Sequence, residues 1–202
     1  NVAIGFYALQ SQNAGADAYN VAIGYDTGKS VTTGIYNTLV GGTAGDSITD
    51  GNTNVAIGYS ALSSETSGDR NVAIGASALG SQNNTSDTDV YNVAVGYQAG
   101  YAMTTGSENT IVGGLAGDAL TTGIKNVAIG YNALGSEDTG NRNIAIGDGA
   151  LANLNYNGNG YNVAVGLNAG TNVSTGIQNT IIGGLAGDAL TTGSDNVAVG
   201  LN

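Results

Sequence analysis

Twelve times along the chain an asparagine opens a short run of alternating residues: Asn1, Asn20, Asn37, Asn54, Asn71, Asn92, Asn109, Asn126, Asn143, Asn162, Asn179 and Asn196. Most openings are 17 residues apart and the rest 19 or 21. The run reads "NVAIG" or a close variant, and its β-branched residues recur with period two, as in a strand. The fourth position is Val or Ile in every copy and the fifth is always Gly. The eighth is Ala wherever it occurs except at Thr27, and each 17-residue copy has a second Gly at its fifteenth position, from Gly34 to Gly193. Two glycines per copy mark two turns, because Gly reaches positive φ without a steric penalty. In a helix each would cost about 1 kcal/mol relative to Ala.

Two turns and two short strands per 17 residues predict a flattened coil that returns above its own start. Residues 1–202 then form one all-β array, a parallel β-roll or β-solenoid of 12 coils, with neighbours about 4.8 Å apart. Alternation places the second and fourth residues of a strand on one face and the third on the other. The core is assigned to the fourth position: Ile4, Ile23, Val40, Ile57, Ile74, Val95, Val112, Ile129, Ile146, Val165, Ile182 and Val199. The third position is assigned to an outer sheet face. The twelve opening asparagines are expected to form a ladder, since an amide both donates and accepts. The plainer reading is that Asn suits the turn backbone.

A longer beat overlies the coil. "NVAIGYSAL" at 54, "NVAIGASAL" at 71, "NVAVGYQAG" at 92 and "NTIVGGLAG" at 109 form a cycle that resumes at 126. It divides the chain into a partial unit 1–53, full units 54–125 and 126–195, and the start of another at 196–202. The pattern is under way at residue 1 and unfinished at residue 202, as in a fragment of a longer fibre. In the fourth coil the third position becomes Leu39, Ile111 or Ile181, and the sixth becomes Gly42, Gly114 or Gly184. A bulky residue beside a strip thinned by Gly predicts a subunit interface packed against identical chains; the alternative is a bland solvent face. Extra residues occur only in the second coil of a cycle, in 1–19, 71–91 and 143–161. These polar insertions read equally as contact loops and as neutral length variation.

Composition narrows the chemistry. The chain has no His, Cys, Pro or Trp and a net charge of −11, with Lys29, Arg70, Lys125 and Arg142 scattered. An acidic chain without a basic patch speaks against nucleic acid and anionic lipid partners, and no run is long enough for membrane insertion. Without His or Cys the common general base and thiol nucleophile are missing. The three glutamates, Glu65, Glu108 and Glu137, lie in polar stretches that read as loops. Asp46, Asp118 and Asp188 share a register that suggests calcium, but four coils, about 19 Å, separate them. No enzyme activity, metal or cofactor is expected. A polysaccharide-cleaving enzyme and an ice-binding protein with "TTG" turns are the weaker alternatives.

The phrases "NVAIGYSAL" and "NTIVGGLAGDALTTG" resemble repeats of marine and cyanophage tail fibres. "NVAIG" is similar to the "SVAIG" core of YadA-like trimeric autotransporter adhesin heads. The resemblance covers the whole chain and implies a left-handed homotrimer of β-rolls, extracellular on the virion surface and used for host attachment to a receptor or glycan. The other reading is the head domain of a bacterial trimeric adhesin. The resemblance carries no catalytic residue to this chain.

Overall fold

The computed structural model describes residues 1–201 and is built on strands and turns. The strands are β1 (Val2–Ile4), β2 (Val21–Ile23), β3 (Thr38–Val40), β4 (Val55–Ile57), β5 (Gly68–Asp69), β6 (Val72–Ile74) and β7 (Thr88–Asp89). They continue as β8 (Val93–Val95), β9 (Thr110–Val112), β10 (Val127–Ile129), β11 (Ile144–Ile146), β12 (Val163–Val165), β13 (Thr180–Ile182) and β14 (Val197–Val199). All except β5 and β7 join one 12-stranded sheet in chain order. Every pairing is parallel and in register, as in Ala22 with Leu39 and Ile129 with Ile146. The chain is a β-solenoid in which each coil lays its strand on that of the coil before.

The second strand expected in each coil is not a general feature. Among the described residues only β5 and β7 pair away from the main sheet, with one further parallel bridge between Asn141 and Asn159. The backbone after the strand instead enters the left-handed region repeatedly. In the coil that starts at Asn54, Ser60, Leu62 and Arg70 have φ of 53°, 51° and 60°. Extended structure cannot persist through such residues.

The sheet faces are reversed relative to the sequence expectation. The third position points inward: Ala22, Leu39, Ala56, Ala73, Ala94, Ile111, Ala128, Ala145, Ala164 and Ile181 are all 0% exposed. None of the fourth-position residues assigned to the core is buried. Ile4, Ile23, Ile57, Ile182 and Val199 are exposed, and Val40, Ile74, Val95, Val112, Ile129, Ile146 and Val165 are partly exposed. The cause is the thinness of the coil. Its two walls meet through the alanines of the third and eighth positions, and a β-branched residue in every layer would hold them apart. The core also includes Leu9, Leu62, Leu79, Leu134 and Leu151 at the ninth position, and Val31, Ile48, Met103, Leu120, Leu154 and Val173 at the twelfth.

The four-coil beat follows from this interior. Where the third position is Ala, the ninth is Leu in the first two coils of a cycle. Where Leu39, Ile111 or Ile181 fills the third position, the ninth is Gly45, Gly117 or Gly187. A Cβ on Gly45 would stand 2.8 Å from Leu39 Cδ2, and one on Gly100, a coil earlier than Ile111, 3.0 Å from Ile111 Cδ1. Leu39, Ile111 and Ile181 are therefore core residues filling space left by glycines, not subunit contacts. Ile111→Ala is expected to cost about 3 kcal/mol in urea unfolding. Adding Gly117→Leu should recover part of that loss, because leucines at the same register already adopt φ near Gly117's +51°, as Leu62 does at 51°. A double variant no more stable than Ile111→Ala would contradict this packing.

The two invariant glycines have different causes. Gly113, at the fifth position, has φ +138°, and its Cβ would lie 2.4 Å from the Gly130 carbonyl oxygen of the next coil. Gly123, at the fifteenth, has no positive φ, but a Cβ there would meet Gly140 O at 2.4 Å. Its role is close approach between coils. The left-handed corner lies two residues later, at Lys125, φ 59°.

Candidate functional site

The opening asparagines form a continuous buried column. Asn20, Asn37, Asn54, Asn71, Asn92, Asn126, Asn143, Asn162 and Asn179 are 0% exposed and Asn109 is 1%. Each backbone N–H donates to the side-chain Oδ1 of the asparagine one coil before, from Asn20 to Asn1 (2.8 Å) through Asn126 to Asn109 (2.9 Å) to Asn196 on Asn179 (3.0 Å). Most of the Nδ2 groups donate to the fifteenth-position glycine carbonyl of their own coil, as Asn109 does to Gly123 O at 2.9 Å. Asn71 and Asn143 lack that bond, since an insertion in their own coil displaces the glycine. Asn71 Nδ2 turns back to Asn54 Oδ1, and Asn143 Nδ2 has no partner among the described residues.

Sequence reasoning missed that Glu65 and Glu137 are core residues. Both are 0% exposed and occupy the twelfth position, the register of Val31, Ile48 and Leu120. Glu65 Oε1 accepts from the backbone N–H of Thr66, Ser67, Gly68 and Asn84 at 2.9, 3.2, 2.8 and 3.0 Å. Its Oε2 accepts from Gln82 Nε2 and Asn84 Nδ2, both at 3.0 Å. One carboxylate thus ties its own turn to the root of the insertion in the next coil. Glu137 is less well held, accepting from Gly140 N–H at 2.9 Å and Tyr156 N–H at 3.4 Å. Its next-coil neighbour at the twelfth position is Leu154 instead of a glutamine.

Burial pushes the Glu137 carboxyl above its ordinary 4.5, with Asp138 adding repulsion, against a downward pull from the N–H groups of Gly140, Tyr156 and Asp138. A raised folded-state value means that the folded chain holds this proton more tightly than the unfolded one. The corresponding stability is present below pH 4.5 and lost as pH rises through the folded value. Glu137→Gln should therefore melt higher than the parent at pH 7, with the gap closing below pH 4.5. An equal gap at both pH values would contradict it.

The outer face has a different chemistry. The second and fourth positions of all twelve strands point outward and include no charged residue. A ring or large apolar side chain often follows at the sixth position: Phe6, Tyr25, Tyr59, Tyr97, Tyr131, Leu167 and Leu201 are all exposed, Tyr59 by 68%. Gly42, Gly114 and Gly184 break this column. A Cβ on them would lie 3.5 Å from Tyr59, 3.6 Å from Tyr131 and 3.4 Å from Leu201, so each glycine sits beneath the large side chain of the next coil. These three glycines, unlike Leu39, Ile111 and Ile181, are on the surface.

Three of the four cations lie on a separate edge, the left-handed column before each asparagine. Arg70 pairs with Asp89 and lies 5.6 Å from the Tyr91 ring; Arg142 hydrogen-bonds Asn159 and lies 5.8 Å from Tyr161; Lys125 is 3.6 Å from Glu108. Such exposed pairs contribute little stability. Burial raises the carboxyls of Asp46 and Asp118. Among the described residues no group of three or more metal-ligating side chains comes together. Of the "TTG" hydroxyls, those of Thr32 and Thr104 donate along the stack to a carbonyl one coil on, at 3.1 and 3.2 Å. No described helix is long and apolar enough to cross a membrane. Comparison with family models, curated proteins and solved structures finds no match to this chain.

Proposed function

We propose that this chain is a non-enzymatic segment of a phage tail fibre, a stiff shaft or head that works as a homotrimer on the extracellular surface of the virion. Its task is to hold receptor- or glycan-binding parts away from the particle during host attachment. The observation that supports this most directly is the uncovered Val/Ile face along an uninterrupted 12-stranded sheet. Parallel sheets are stable when both faces are covered. Here the coil interior covers one and solvent meets the other.

A second and third copy of the chain are suitable covers. The face is about 55 Å long and, over three residues, about 10 Å wide. With the sixth-position column added it approaches the roughly 800 Å² per partner of a stable interface. It carries no charge at its second and fourth positions, although the chain carries −11, and Asp148 is the one acid in the sixth-position column. The interface therefore belongs to the second- and fourth-position residues, with Gly42, Gly114 and Gly184 at its margin. The buried acids support a non-catalytic reading, because Glu65 and Glu137 are occupied in holding turns.

The test is mass and length in solution. Sedimentation should give three chains per particle, and deletion of residues 54–125 should leave a folded trimer about 19 Å shorter. A monomeric parent, or a deletion that aggregates, would overturn the proposal.

A further inference from the structure

The outer second position is Val in eight coils, Ile144 in one, and Thr38, Thr110 and Thr180 in three. All three threonines lie in the fourth coil of the cycle. Each is flanked along the sheet by valine: Val21 and Val55 beside Thr38, Val93 and Val127 beside Thr110, Val163 and Val197 beside Thr180. Threonines at the turns donate to neighbouring coils, as Thr32 and Thr104 do, whereas these three hydroxyls have no partner among the described residues. Valine has nearly the same shape and an equal liking for strands, so the hydroxyl adds nothing to the fold of one chain.

We propose that Thr38, Thr110 and Thr180 set the axial register between copies of the chain. The inference rests on the self-association proposed above. Once a second copy covers the face, each hydroxyl loses water and needs a new partner. The same column of the same chain offers valine. When copies lie level, each threonine meets its equivalents in the others. Around a three-fold axis every hydroxyl then donates to one neighbour and accepts from the other, closing the set. A slip of one, two or three coils sets no threonine against another; each then meets an apolar side chain or overhangs the end of the stack. A slip of four coils matches hydroxyls again but uncovers four coils at each end. A polar group isolated in an apolar seam fixes register in the same way in coiled coils.

The chain lacks cysteine, so Thr33→Cys on an exposed turn accepts a single nitroxide label, and pulsed electron paramagnetic resonance reads distances between copies. The parent should give one narrow distance, as should the variant with Thr→Ser at all three positions. The variant T38V/T110V/T180V, in which valine takes a register it already holds in eight coils, should keep its assembled mass. Its distances should split into several populations, from axial offsets in steps of about 4.8 Å. A single narrow distance in the valine variant overturns the register role and leaves the shaft reading intact. Dissociation of the valine variant assigns the threonines to affinity and overturns it equally. A monomeric parent overturns self-association itself.

Discussion

Asn109→Leu should lower the unfolding free energy by about 4 kcal/mol in urea titration. The side chain is 1% exposed and meets obligations on two sides. Its Oδ1 takes the Asn126 N–H at 2.9 Å, and its Nδ2 supplies the Gly123 carbonyl at 2.9 Å. Leucine leaves that donor and that acceptor buried without partners, at about 1–3 kcal/mol each. Asn196→Leu, at an exposed end of the column, should cost about 1 kcal/mol or less, since water can replace what is lost. Equal losses at the two positions would show that the column contributes shape alone.

Glu65→Ala should cost about as much, for a different reason. Six donors converge on this carboxylate, and none of the coil's apolar groups can take them over. A loss of about 4–5 kcal/mol is expected, near the upper end for a single substitution. Glu65→Gln should also destabilise, because one carboxylate oxygen becomes an NH2 group facing donors. Glu137→Gln is expected to act in the opposite direction at neutral pH. Thermal melts of the two glutamine variants side by side check the pair, and a shift of the same sign would refute the contrast.

The repeat, the parallel stack and the asparagine positions were legible because they depend on period alone. Orientation was not, since alternation defines two faces without saying which is inside. The informative signal was the pairing of alanines at the third and eighth positions, which marks two walls in close approach. The coupling of Ile111 with Gly117 could have been noticed as a volume exchange, but only once both were known to face inward. Glu65 and Glu137 were hidden by their setting: "SSET" and "GSED" look like loops, and only alignment on the twelfth position places them with Ile48 and Leu120. The left-handed corners at Tyr36, Arg70 and Lys125 carry no common residue type, so local sequence could not reveal them.

The hydrogen bonds between coils point along the stacking direction, which determines how such a body answers mechanical load. Compression and bending press coils whose backbones already touch at Gly113 and Gly123, and they meet hard resistance. Tension on a single chain pulls straight along those bonds and engages them one strand at a time. Each strand that yields surrenders about 4.8 Å of stack and frees 17 residues, roughly 56–61 Å of extended chain. A lone chain pulled at its ends would thus extend as a graded shock absorber, while the same chain under thrust behaves as a strut.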